Sequence, residues 1–199
     1  MAKIVIFDTD GMVVHREMYF SKRFSGEFGV PMEKLLPFFK NEFQLCLVGK
    51  ADLKEELAKY LAEWNWHGTV DELLVYWFTH ESRVDEEMLE SVKALKIKGV
   101  QCYLNTNNEK YRVQYLFEDL KLKDFFDGVF SSAELGYLKP QPEFWSAMYD
   151  RLGKPNKKDV LVWDDDEENV ASATQFGFQA EFYSNFDSYD ARTETFLTS

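Results

Sequence analysis

The stretch from Lys3 to Val14, KIVIFDTDGMVV, decides how the chain is read. Ile4 to Phe7 is an unbroken apolar run, rich in β-branched residues and too short for an ordinary helix. It predicts a strand buried on both faces of a parallel sheet. The run stops at Asp8, and Asp10 and Gly11 follow. Open α/β sheets bind their ligands beyond the carboxyl ends of the strands. Two carboxylates at such a strand end read in two ways: as a ligand site, or as an Asx-type turn with both aspartates solvated.

From about Met18 to Trp77 the apolar periodicity is helical, with no convincing strand. Leu57, Ala58 and Leu61 form one stripe, with Asp52 and Glu55 as a capping box at its start. Thr69 and Glu72 repeat the device before Leu73, Leu74 and Trp77, while Pro31 and Pro37 punctuate the earlier part. The segment is expected to be a compact, aromatic-rich insertion of about four helices.

Beyond Asp85 the rhythm changes. Met88, Leu89, Val92 and Leu95 make a helical stripe that ends in Lys96, Lys98 and Gly99. Val100 to Leu104 predicts a strand running into Asn105-Thr106-Asn107-Asn108. The next helix carries Tyr111, Tyr115 and Leu116 on its apolar face. Val129 and Phe130 suggest a short strand, and Pro142 opens a further helix at a favoured position. Val160 to Trp163 predicts a buried strand stopping at Asp164-Asp165-Asp166. A helix follows from about Glu167 to Phe176, closed by Gly177, and Gln179 to Tyr183 is the last expected strand. From Phe186 no period is read, so a docked or mobile tail is expected. Strand and helix alternate, which predicts an α/β fold: a doubly wound parallel sheet with helices on both faces.

Three of these strands end in polar clusters: Asp8 with Asp10, Thr106 with Asn107, and Asp164 with Asp165 and Asp166. Lys139 lies in the loop GYLKPQP between the last two. Strands of a doubly wound sheet share one carboxyl edge, so the clusters can converge there. Converging carboxylates repel one another unless a cation lies between them. Oxygen ligands without nearby His or Cys suit Mg²⁺. A hydroxyl, an amide and a lysine match the outer oxygens of a phosphoryl group. Carboxylates, Mg²⁺ and a phosphate cradle together point to phosphoryl transfer, with an aspartate able to act as nucleophile.

In this order the four clusters resemble the motifs of the haloacid dehalogenase-like (HAD) hydrolase superfamily, over nearly the whole chain. IVIFDTDG resembles the first motif, GVQCYLNTN the second, YLKPQPEFW the third and VLVWDDDEENV the fourth. The resemblance implies a Rossmann-like core from residues 1–14 and 85–199, with an inserted helical cap at 15–84. It implies a Mg²⁺-dependent phosphatase acting on a small phosphate monoester, a sugar phosphate among the options. VGKADLKEEL and the DDxxEN ending look closest to the branch of sugar-phosphate phosphatases and epoxide-hydrolase-associated phosphatase domains. By the same resemblance Asp8 is the nucleophile, and Asp10 protonates the leaving alcohol and then deprotonates water. Thr106 and Asn107 hold phosphoryl oxygens, and Lys139 neutralises charge on Asp8 and the phosphate. Asp8, the backbone carbonyl of Asp10 and Asp165 hold the metal, with Asp164 the second choice in the acidic trio and Asp166 ambiguous. A one-residue slip would put Asn105 in the place of Thr106. The aspartate two residues after the nucleophile favours phosphate esters over halogenated substrates. A phosphomutase, or a phosphate-binding regulatory protein without turnover, is the alternative.

Composition narrows the partners. The 199 residues, 45% of them hydrophobic, suffice for one sizeable core and a small satellite. A net charge of −12 and scattered basic residues argue against nucleic-acid or anionic membrane partners, leaving a small phosphorylated metabolite. Cys46 and Cys102 lack metal-type spacing. With no signal peptide or bilayer-length apolar run read, a cytoplasmic protein is expected; oligomeric state is left open. His15, His67 and His80 form no ligand cluster, although His15 is near enough to the first motif to face a substrate. Trp64, Trp66, Tyr76, Trp77 and Phe78 are read as helix core ahead of a stacking surface. Gly49-Lys50 lacks the upstream glycine of a P-loop.

Overall fold

Ile4–Asp8 is the middle strand, β1, of a five-stranded parallel sheet in the computed structural model, which describes residues 3–198. The pair Val14–His15 (β2) and Arg83–Val84 (β3) stands apart. The sheet is completed by Gln101–Thr106 (β4), Gly128–Ser131 (β5), Val160–Asp164 (β6) and Gln179–Phe182 (β7). Its order is β5-β4-β1-β6-β7. Asp8 lies opposite Asn105 and Phe7 opposite Trp163, so β1, β4 and β6 end together.

The continuous apolar run of β1 is explained by the two-residue period of a strand covered on both faces. Val5 and Phe7 pack on one side with Val92 of Glu86–Ile97 (α6). Ile4 and Ile6 pack on the other with Phe144 of Pro142–Arg151 (α9) and Ala173 of Glu167–Phe176 (α10). Pro142 occupies the first turn of α9, where its missing N–H costs nothing.

Between β2 and β3 lie five helices: Phe20–Phe28 (α1), Met32–Lys40 (α2), Glu42–Leu47 (α3), Leu53–Ala58 (α4) and Val70–His80 (α5). They surround their own apolar cluster, with Phe24, Phe38, Leu57 and Trp64 fully buried. About four helices were expected. Asn41 divides one expected segment, because its N–H and side-chain amide both bond back to the carbonyl of Pro37 while α3 starts anew. Thr69 and Glu72 form the full capping box of α5, whereas Asp52 caps α4 by accepting from the N–H groups of Lys54 and Glu55.

The chain passes between the sheet and these helices through the antiparallel pair β2–β3. His15 Nε2 lies 2.9 Å from Asp85 Oδ2 across it. Two-residue strands are too short to leave a period in sequence. The helix after β4 also departs from expectation: Lys110–Gln114 (α7) continues as a π-helical turn, Tyr115–Asp119. Ser132–Leu135 (α8) follows β5.

The segment from Phe186 is a docked helix, Phe186–Thr198 (α11), which places Tyr189, Thr193 and Phe196 against the core. Its stripe is hidden in sequence because the middle contact is a threonine, whose hydroxyl lies 3.2 Å from Trp163 Nε1. No helix among the described residues is long and apolar enough to cross a membrane.

Candidate active site

Lys139 enters from the loop between α8 and α9 and is buried among the ends of three strands. Its Nζ donates to Asp8 Oδ1 at 2.6 Å, Asp164 Oδ2 at 2.8 Å and Asn105 Oδ1 at 3.1 Å. Burial alone would pull this ammonium's pKa down, but Asp8 and Asp164 outweigh it and hold Lys139 above its ordinary value. Burial pushes the Asp8 carboxyl up, and the charges of Asp164 and Asp10 add to that push against the pull of Lys139. Two buried carboxylates thus share a single ammonium.

Asn107 fixes the lysine's backbone: its Nδ2 donates to the Lys139 carbonyl at 3.0 Å and its Oδ1 accepts from the Lys139 N–H at 2.9 Å. The side chain expected to hold phosphoryl oxygens is thus occupied with positioning Lys139. Asp164 is engaged on both oxygens, since its Oδ1 accepts from the Asp166 N–H and from Asn169 Nδ2. Asp166 itself caps α10.

Asp10 faces a different set of partners. Its Oδ2 accepts from Asn108 Nδ2 at 2.5 Å, and its Oδ1 is 3.4 Å from Arg112 Nη2. Asn108 also donates to Thr106 Oγ1 at 2.6 Å, which leaves the threonine O–H to donate elsewhere. Arg112 is buried and also donates to the carbonyls of Phe78 and Glu81 and to Ser82 Oγ, tying the end of α5 to Asp10. Sequence reasoning missed Asn108, Arg112 and Glu81. None belongs to an apolar run, and their spacing to Asp10 exists only in the fold. His15, engaged with Asp85, is not among the cavity-lining residues.

One carboxylate oxygen from each of Asp8, Asp164 and Asp165 lies within 4.8 Å of the others. An oxygen-only donor set fits a hard divalent cation such as Mg²⁺. Burial pushes the Asp165 carboxyl up as well. That carboxylate lies against Gly11: a Cβ built there would come within 1.9 Å of Asp165 Oδ2, and the glycine's φ of +107° is one that other residues resist. Gly11→Ala is accordingly expected to displace Asp165 and lower kcat by about 10²-fold, the scale of a 1 Å misplacement. Steady-state kinetics beside a thermal melt check this, and an unchanged kcat would refute it.

Glu109 caps α7 beneath the site, accepting from the N–H groups of Tyr111 at 2.7 Å and Arg112 at 2.6 Å. Burial nevertheless pushes its carboxyl up to about 7 from an ordinary 4.5. The folded protein then keeps a proton that the unfolded chain has released. This contribution to stability is full below about pH 4.5 and is lost as pH rises through about 7. Glu109→Gln should flatten the fall in unfolding free energy over that window by on the order of 2 kcal/mol. Urea titrations of both proteins at the two ends of the window measure it, and parallel curves would contradict it.

A cavity of about 460 Å³ joins Asp8, Asp10, Thr106, Lys139 and Asp165 to side chains of α2, α3 and α5. Among known proteins, the family model described as haloacid dehalogenase-like hydrolase matches residues 2–177. A sesquiterpene phosphatase of Aspergillus oryzae is 34% identical over 95 residues, 48% of each chain. A ribulose-1,5-bisphosphate 5-phosphatase of Halopiger xanaduensis is 27% identical over 118 residues, 58% of this chain and 49% of the relative. The chain thus spans about half the length of the curated relatives it matches. A HAD-family enzyme of Bacteroides thetaiotaomicron, solved with magnesium and inorganic phosphate, has a similar fold: TM-score 0.78, 18% identity, covering 92% of this chain and 95% of that one.

Proposed function

Because the chain belongs to the haloacid dehalogenase-like hydrolases, we propose that it is a Mg²⁺-dependent phosphatase that hydrolyses a small phosphate monoester through an aspartyl-phosphate on Asp8. The observation that carries this is the buried contact of Lys139 with Asp8 and Asp164, with Asp10 and Thr106 in the same cavity.

Asp8 attacks phosphorus with a carboxylate oxygen, and the bond from phosphorus to the alcohol oxygen breaks. Asp10, oriented by Asn108 and Arg112, gives the leaving oxygen its proton. It then takes a proton from the water that attacks the phosphorus of the aspartyl-phosphate, releasing Asp8 and inorganic phosphate. Thr106 donates its hydroxyl to a phosphoryl oxygen, and Lys139 holds Asp8 in line and offsets the gathering charge. Asn107 acts through the backbone of Lys139. Asp8 and Asp165, with the main-chain carbonyl of Asp10 and with Asp164 beside them, would hold Mg²⁺. When bound, the ion would supply positive charge to the phosphoryl oxygens. The helices α1 to α5 serve as a cap that excludes bulk water from the cavity.

The two curated relatives carry names that set a terpene against a sugar bisphosphate, so relationship alone leaves the alcohol open. The test is to incubate the protein with phosphate monoesters and either Mg²⁺ or EDTA, following inorganic phosphate and isomeric products together. Mg²⁺-dependent phosphate release is expected. Isomers without phosphate release would mean a phosphomutase, and binding without either product a non-catalytic protein.

A further inference from the structure

We propose that the alcohol half of the substrate is largely apolar, an alkyl or aryl group rather than a sugar; this rests on the phosphatase assignment above and names the class of ester that the same cavity takes. Below, the cavity is bounded by the polar sheet edge. Its other wall is aromatic. Leu36 and Phe39 of α2, Phe43 of α3 and Trp77 of α5 line it, with Tyr19 nearby. The rings form one surface: Phe39 to Phe43, Phe39 to Trp77 and Phe43 to Trp77 have centroids 5.6, 5.5 and 5.4 Å apart.

The polar groups on this side are largely satisfied within the protein. Gln44 Nε2 donates to the Phe39 carbonyl at 2.8 Å. Trp77 Nε1 donates to Glu81 Oε2 at 3.1 Å, and the other Glu81 oxygen accepts from the Phe20 N–H. The Arg112 guanidinium is held by Phe78, Glu81, Ser82 and Asp10. Ser21, the exposed Arg16, the Tyr19 hydroxyl and Gln44 Oε1 are the other polar groups that this wall offers, and the Arg16 guanidinium sits over the Tyr19 ring at 4.6 Å.

A sugar brings several hydroxyls, each of which must keep a hydrogen bond when it leaves water. An alkyl or aryl group makes no such demand and gains from covering the rings. The cavity of about 460 Å³ has room beside the phosphate for a group larger than a methyl or ethyl chain.

Two assays decide it. In the first, Mg²⁺-loaded wild type is given n-alkyl phosphates from ethyl to decyl, 1-naphthyl phosphate, glycerol phosphate and glucose 6-phosphate. We expect kcat/KM to rise about threefold per methylene until the cavity is full, and octyl phosphate to exceed glucose 6-phosphate by about 100-fold. Phe43→Ser should lower the octyl-to-ethyl ratio by about tenfold. In the second, octylphosphonate and methylphosphonate, whose carbon–phosphorus bonds this chemistry leaves intact, are titrated against tryptophan fluorescence. The octyl compound should bind at least about tenfold tighter. Turnover of glucose 6-phosphate equal to that of octyl phosphate overturns the inference and leaves the phosphatase standing. Tighter octylphosphonate binding with no ester hydrolysed overturns the phosphatase and leaves the apolar site standing. Neither turnover nor preferential binding overturns both.

Discussion

Asp8→Asn is expected to lower Mg²⁺-dependent phosphate release by at least about 10³-fold, the scale seen when a covalent nucleophile is removed. Stability should change by less than about 1 kcal/mol, because an amide has the same shape and its oxygen can still accept from Lys139. The charge it removes is one that burial already disfavours, and Lys139 keeps Asp164 as its counter-ion. Paired measurements are therefore diagnostic: initial rates for the activity, urea unfolding for the fold. Full-rate turnover by a folded Asp8→Asn protein would remove Asp8 from the mechanism. Unfolding of the variant would instead mean that the aspartate's charge is structural.

Lys139→Met should do the reverse, costing stability as well as rate. It leaves Asp8 and Asp164 at the buried strand ends without their shared cation, a change worth about 3–5 kcal/mol. Loss of its electrostatic support for the reacting phosphoryl group should lower kcat by about 10²- to 10³-fold. The sign of the pH dependence follows from Asp8. Its carboxyl is raised above an ordinary 3.8 by burial and by Asp164 and Asp10, and the variant loses the opposing pull of Lys139. A carboxyl raised by folding contributes stability below its ordinary value and loses it as pH rises. The deficit of the variant against wild type should therefore be smallest near about pH 4 and grow toward about pH 7. A deficit that shrinks with rising pH would show that Lys139 matters for packing rather than for charge.

The value of such pairs lies in how the site is divided between elements. Asp8, Thr106 and Asp164 end three strands, and a strand end is visible wherever an apolar run meets a polar cluster. Lys139 was legible by its loop between two such runs. Arg112 and Glu81 were not, because a polar residue on a helix or just past its end looks like any solvated surface until the fold buries it. Asn107 was legible as a candidate, yet its bonds to the Lys139 backbone were not, since they join positions 32 residues apart. The aromatic helices show the same limit. Trp64 and Trp77 are both apolar in sequence, but Trp64 is sealed in the helical cluster while Trp77 also faces the cavity.

What local sequence determined by itself was the alternation of strands and helices, the helical segment after β1 and the order of KIVIFDTDG and three other strand-end and loop motifs along the chain. Those follow from periods of two and three to four residues and from abrupt polar stops, all encoded within a few neighbours. Tertiary structure alone decided the sheet order, the β2–β3 crossing, the docking of α11 and the satisfied hydrogen bonds that leave the cavity wall aromatic. These depend on contacts between distant residues, where a side chain's role is set by what packs opposite it and not by its own chemistry.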